Sequence, residues 1–273
     1  MAAKPRSLTT GGAILALVVL AALFGPMLAP FPYDQMDIMA RLSAPDATHW
    51  LGTDEFGRDV LSRMLYGARL SLLMGLGATF VSLALGVPLG LAAGYRGGRI
   101  DEAIMRTIDV VISVPPILMG LLLLSLSPPN VWKTALAVGI IYVPILARLT
   151  RSVTLEIARE EFVLAARARG ERLWYILGAE ILPNAWPPII VEAALRVTFA
   201  IMLGAALSFL GLGVQPPSSD WGLMIAEARP FIDTAPWVAL APGAVLCITV
   251  IAVNLVGDGL REILDPRLRR GRG

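Results

Sequence analysis

EEFVLAARARGERLWYILGAEILPNAWPP, residues Glu160 to Pro188, is a polar, arginine-bearing island in an otherwise greasy chain. Phe162, Ala165 and Ala166 recur at helical spacing, which predicts a helix with one small apolar face flanked by Arg167 and Arg169. Gly170 is placed to end that helix, since glycine accepts the left-handed conformation that closes a helix C-terminus. Glu171 then supplies the negative charge that a following N-terminus prefers. Leu173, Trp174, Ile176 and Leu177 make a second amphipathic turn or two, and Pro183, Pro187 and Pro188 mark the hand-over to an apolar segment. A helix-glycine-helix of this kind suits a lever: a short helix with small side chains seats in a socket on a soluble partner, and the turn passes its movement to attached spans. An interfacial amphipathic helix is the plainer alternative.

Around the island the composition is that of a membrane protein. Of 273 residues, 56% are hydrophobic and 16% charged, against about 45–50% and about 25% in soluble domains; the mean hydropathy is +0.70. A formal charge of +2 is too small to imply nucleic acid. Cys247 is the only cysteine and His49 the only histidine, so an intrachain disulfide, a CxxC site and a zinc site needing two histidines are excluded.

Six apolar stretches follow one another: Gly11–Ala29, Ala68–Tyr95, Ala103–Leu126, Val131–Leu149, Ile189–Leu212 and Trp237–Val256. Each is close to the roughly 20 residues a spanning helix needs, so the expected fold is an all-α integral membrane protein in one domain. The first stretch reads as a retained anchor span, being long for a signal peptide. Residues 30–67 form a loop too polar to cross, in which Thr53 or Asp54 is placed to cap a short helix carrying Phe56, Val60, Leu61, Met64 and Leu65 on one face. Gly86, Gly90 and Gly94 have the small-xxx-small spacing that lets helices approach closely in lipid. Pro115-Pro116 is expected to kink the third span or to end a first helix there. Val214–Pro236 is a connector with PPSSDW at its head and a short helix after it.

Six spans put both termini on one side. That side, with the turn at Arg96–Arg106 and the stretch Arg148–Arg172 that runs into the island, carries sixteen lysines and arginines, against six on the other. By the positive-inside rule the termini and the island face the cytoplasm, and loop 30–67 faces outward.

The inventory for catalysis is poor. G-x-S-x-G is absent, and His49 stands alone in a polar loop, where a surface or capping role fits it. Asp109 and Asp258 sit at the cytoplasmic ends of their spans, not mid-bilayer where a two-aspartate protease needs them. Asp109 reaches only Arg106 or Met105 by helical neighbour geometry, which predicts a boundary ion pair, with a gate or interface role as the alternative. Glu192 and Arg196 form an i,i+4 pair in the fifth span, and Asn254 is placed to hydrogen-bond across helices in the sixth. No lysine follows a glycine-rich turn, since the only two are Lys4 and Lys133, so the chain has no phosphate-binding loop of its own.

The pattern Ala165-Ala166-x-x-x-Gly170, then Ile181-x-Pro183, resembles the EAA loop of ABC-importer permeases, with Leu164 where that family usually has Glu. Three further stretches, HWLGTDEFGRDVLSRMLYGARLSL (His49–Leu72), LSFLGLGVQPPSSDWGLMI (Leu207–Ile225) and GDGLREILDPRLR (Gly257–Arg269), are similar to the C-type permease of dipeptide, oligopeptide and nickel importers. The resemblance implies a type I importer permease in a bacterial inner membrane, with no catalytic, metal or cofactor residue in this chain. It implies a second permease, a different chain, completing the path. Two ATPase subunits carrying ATP and magnesium sit below, and an extracytoplasmic solute-binding protein above. It carries the ATPase-coupling role onto Glu161, Phe162, Ala165, Ala166, Arg167, Arg169, Gly170, Ile181 and Pro183. Thr53, Asp54, Arg58 and Asp59 either cap and pin a helix on the outer membrane face or meet the binding protein or sister permease. Glu192 and Arg196 have a contact to the ATPase side or the sister permease as their functional alternative.

The expected mechanism is alternating access driven by the partners' ATP cycle, for peptides or a similar small solute. The rival is an ion-gradient-driven secondary transporter, hinted at by the helix-breaking Pro115-Pro116 and Pro144, though no internal repeat accompanies them.

Overall fold

A computed structural model describes residues 6–264 apart from 127 and 129. The basic tail beyond Leu264, the first five residues with Lys4, and Pro129 of the turn before Val131 lie outside the described residues. Helices dominate: α1 (Arg6–Leu28), α2 (Val60–Arg96), α3 (Gly98–Ser113), α4 (Pro116–Ser125), α5 (Val131–Ile157), α6 (Glu161–Ala168), α7 (Leu173–Phe209), α8 (Trp221–Ala228) and α9 (Trp237–Leu264). Among the described residues five helices, α1, α2, α5, α7 and α9, are long and apolar enough to cross a membrane, and the bent pair α3–α4 makes a sixth span if counted as one.

Helix α2 is the axis of the bundle. It runs 37 residues without a break, so the helix expected near Phe56–Leu65 is not separate from the span beginning at Ala68. Val60, Leu61, Met64 and Leu65 are the first two turns of α2, Phe56 precedes it, and the cap is Asp59 and not Thr53 or Asp54. The Asp59 carboxylate accepts from the Ser62 N–H at 2.8 Å, which satisfies one of the donors every helix start leaves open. Along its length α2 lies against α5 at close range. A Cβ built on Gly90 would come within 2.5 Å of the Ala147 carbonyl oxygen, so only glycine permits this approach.

Two spans depart from their expected bounds because of proline chemistry. Helix α7 begins at Leu173, not Ile189, and passes straight through Pro183, Pro187 and Pro188. A wide π turn at Ile176–Ile181 makes this feasible: the Leu182 N–H bonds the Leu177 carbonyl, just before Pro183, which has no N–H to give. The helix stops at Phe209, with Gly211 at φ +81° turning the chain away before Leu212. In the third span the break is complete, and α3 and α4 meet at 91° across Pro115.

The outermost packing pairs α1 with α9, where a Cβ on Gly259 would meet Leu8 Cβ at 2.5 Å. Between α7 and α9 the connector folds back to pack its Trp221, fully buried, against α2. The Trp221 indole N–H donates to the Met64 carbonyl at 3.1 Å.

Candidate functional site

The island is an elbow held by its own chain. Helix α6 ends at Gly170, whose φ of +75° is the left-handed closure foreseen for it. Two backbone bonds seal the end, from the Gly170 N–H to the Arg167 carbonyl at 2.9 Å and from the Glu171 N–H to the Ala166 carbonyl at 3.2 Å. Val163 and Ala166 are fully buried and pack with Ile176, Leu177 and Ile181 of α7 and with Val87 and Leu91 of α2. This corrects the expected face. Ala166 points into the molecule and anchors α6, whereas Phe162, Leu164 and Ala165 face outward. Leu164, standing where the resemblance expects a glutamate, is 49% exposed.

Of the remaining coupling candidates, Glu161, Arg167, Arg169, Gly170 and Pro183 are exposed and Ile181 is buried. Arg167 is tied down: its Nε donates to the Tyr95 hydroxyl at 3.0 Å and its guanidinium lies over the Tyr95 ring, at the C-terminal end of α2. Arg169 lies 3.6 Å from Glu171 and 3.7 Å from Glu180. Trp174, assigned to the apolar face of the second turn, is instead 80% exposed beside Arg172. The buried face of this turn is carried by Ile176 and Leu177, with Leu173 half-buried.

At the opposite end of α2 the residues Thr53, Asp54, Arg58 and Asp59 come together, but they are buried. As buried side chains they offer no exposed contact surface of their own and pin the loop from within. Asp54 Oδ2 receives Arg58 Nε at 2.6 Å and Arg63 Nη1 at 2.5 Å. Both guanidiniums also reach Glu227 Oε2, at 3.3 and 2.8 Å. Asp59 accepts from the Ser62 hydroxyl at 2.7 Å and pairs with His49 Nδ1 at 2.9 Å, and the His49 ring lies 4.8 Å from that of Phe31. The Thr53 hydroxyl donates to the Ala40 carbonyl and accepts from the Ser43 N–H at 2.9 Å. Paired in this way, two buried arginines are tolerable in a low-dielectric site.

The surrounding loop is electrostatically tuned. Burial raises the Glu55 carboxyl above its ordinary range, and the nearby Glu227 and Asp54 charges push the same way. Asp46 is held below that range by backbone N–H groups of His49 and Thr48. Asp220, the cap of α8, is pushed up by burial despite accepting from the Ser208 hydroxyl at 2.7 Å and the Leu223 N–H at 2.8 Å. Arg63 and Glu227 escaped the sequence reading, because nothing local shows that a glutamate in the connector meets an arginine at the start of α2.

The polar span residues singled out by the sequence each have a partner. Glu192 and Arg196 pair at 2.8 Å, with the Arg196 guanidinium over the Phe199 and Tyr142 rings at 4.7 and 5.4 Å. Asn254 Oδ1 accepts from the Thr198 hydroxyl at 3.2 Å, a bond between α7 and α9. Asp109 pairs with Arg148 of α5 at 2.5 Å, not with Arg106 of its own helix. Helix-to-helix packing brings a better-placed arginine than the i−3 neighbour.

This architecture has known counterparts. A family model described as the binding-protein-dependent transport system inner membrane component matches residues 86–270, and one for the N-terminal TM domain of oligopeptide transport permease C matches residues 6–45. The dipeptide transport system permease protein DppC of Alkalihalophilus pseudofirmus is 42% identical, over 97% of this chain and 88% of its own length. The oligopeptide transport system permease protein OppC of Bacillus subtilis is 38% identical, over 94% of this chain and 84% of its own. In fold, the chain is similar to an inward-facing MetNI methionine ABC transporter structure, with a TM-score of 0.61 at 18% identity over 73% of this chain and 94% of that one. The solved neighbours are ABC transporters, not secondary transporters. With more than half its length matched by the first family model, and relatives close to two-fifths identical along nearly all of it, the chain belongs to the inner membrane components of binding-protein-dependent transport systems.

Proposed function

We propose that this chain forms half of the membrane path of a bacterial peptide importer, moved by separate ATPase subunits. The observation that carries the reading is the division of labour within α6. Val163 and Ala166 lock the helix into the chain's own core, while Phe162, Leu164 and Ala165 project from it between arginines. A helix fixed rigidly on one side and open on the other transmits a push. The path of transmission is short, because the cluster that seats α6 includes Val87 and Leu91 of α2, the axis of the bundle.

The charge distribution supports a cytoplasmic position for the elbow and both termini. There it meets two nucleotide-binding subunits, which hold ATP and magnesium; this chain contributes no nucleotide or metal ligand. A second permease of different sequence completes the path, and a binding protein delivers cargo to the outer face. The names of the relatives favour di- and oligopeptides as that cargo. ATP binding favours the outward-open arrangement and hydrolysis the inward-open one, each through differential affinity for the two states.

The test is uptake of a labelled dipeptide by vesicles holding the chain and its co-purified partners. Uptake is expected to require internal-face ATP and the binding protein, and to be lost in Gly170→Trp while the spans still insert. Uptake that persists without ATP and collapses with an ion gradient would overturn the reading.

A further inference from the structure

The bent segment α3–α4 presents a polar face that the rest of the chain leaves uncovered. Glu102, Arg106, Asp109 and Ser113 recur at i, i+4, i+7 and i+11, so they form one stripe along α3. All four are exposed. Ile108, on the other side of the helix, is the one residue of α3 that is buried. The stripe therefore turns away from its own bundle. Arg148 of α5 joins it through the 2.5 Å pair with Asp109, in which both side chains keep about half their accessible surface, 48% and 50%.

Depth decides what the stripe faces. Across a 91° bend the two helices cannot both stand upright. Tilted about 45° each, the 16 residues of α3 and the 10 of α4 rise about 17 Å and about 11 Å, together close to a hydrocarbon core about 30 Å thick, so the bend at Pro115 lies near mid-depth. The near end of α3 starts at Gly98, beside the arginine-rich turn at the membrane surface. The stripe thus climbs from the surface at Glu102 toward the middle of the bilayer at Ser113. Lipid is a costly neighbour for such residues. A second permease helix packed on the stripe would call for small side chains, and long charged ones stand there instead. Broken helices at membrane depth are tolerated where they line a water-filled cavity.

We propose that Glu102, Arg106, Asp109 and Ser113, with Arg148, line the inner half of the water-filled translocation path and contact the charged termini of a passing peptide. Two carboxylates and two guanidiniums make the lining neutral overall and bipolar locally, which suits a zwitterion. Asp109 and Arg148 hold each other between passages, and each is open on one side to a charge of opposite sign. The cargo half of this inference rests on the peptide reading above; the path half does not.

The experiment uses the assembled transporter in inside-out vesicles, with Cys247→Ser as the background because that cysteine is exposed. A methanethiosulfonate carrying a trimethylammonium group is applied to Arg106→Cys, Ser113→Cys and, as a lipid-facing control on α1, Leu20→Cys. The first two are expected to react at least about ten-fold faster than the control, since a fixed charge avoids hydrocarbon. If Ser113→Cys reacts as slowly as Leu20→Cys in vesicles whose assembled transporter still hydrolyses ATP, the stripe is covered and the proposal falls. Labelling reads the path even where no peptide is taken up, so a failure of the cargo assignment is seen separately. For the cargo contact, Asp109→Asn is expected to lower the uptake ratio of lysyl-lysine to glutamyl-glutamate by about five-fold, the effect of one partly screened charge. An unchanged ratio overturns that contact.

Discussion

Arg63 Nη2 lies 2.8 Å from Glu227 Oε2, although the two are 164 positions apart in the chain. The bond fastens the connector helix α8 to the N-terminal end of α2, and Arg58 repeats it from the loop. Glu227→Ala would leave two buried guanidiniums sharing Asp54 alone, and loss of one partner of such a group costs about 3 kcal/mol or more. The thermal midpoint of the detergent-purified complex is expected to fall sharply for Glu227→Ala and less for Glu227→Gln, which keeps an acceptor oxygen. Equal midpoints for the alanine variant and the parent would refute a structural role for the cluster.

Glycine tolerance along the helices has a definite sign at each position. At Gly90 an added Cβ would lie 2.5 Å from both the Ala147 oxygen and Thr150 Cβ, so Gly90→Ala is expected to destabilise by about 1–3 kcal/mol through overpacking. At Gly243, inside α9, a Cβ meets nothing within 4 Å. There Gly243→Ala is expected to gain up to about 1 kcal/mol of helix propensity. Opposite shifts in the same melting assay check the pair.

Gly170 has open space around it, so its strain is purely conformational. Gly170→Val is expected to cost about 1–2 kcal/mol at the turn, and Gly170→Asn less, because asparagine visits the left-handed region more readily. Hydrogen exchange at the α6 amides should rise in the order parent, Asn, Val. Uptake should fall in the same order.

Glu55 gives a pH dependence with a fixed direction. Its carboxyl is raised in the folded protein by burial and by Glu227 and Asp54, so the folded state holds its proton more tightly than the unfolded state does. The two states are matched at pH values below the unfolded carboxylate, about 4.3. As pH rises through the folded value the ionised group becomes a destabilising term, which is then fully present. Glu55→Gln is therefore expected to melt higher than the parent at neutral pH, with the difference vanishing toward pH 4. A difference of the opposite sign at neutral pH would count against the assigned cause.

The elbow was legible because its signals are local. Gly170 announces a left-handed closure by having no side chain, and Pro115-Pro116 announces a break by lacking backbone donors. The same logic misjudged α7, where Pro187 and Pro188 sit inside a helix that neighbouring spans support. It also placed Ala166 outward. Periodicity identifies which residues share a face, but both faces of α6 contain small apolar residues, and only packing chooses between them.

The sequence by itself determined the apolar stretches, the side that carries the arginines and the position of the turn between α6 and α7. Each depends on composition or on the conformational range of a single residue. Only the tertiary structure decided that Asp54 and Arg58 are interior, that Asp109 belongs with Arg148, and that Arg63 belongs with Glu227. Those outcomes depend on how rods many residues apart in sequence are set side by side. A charge finds its partner by distance in space, which the order of residues does not encode locally.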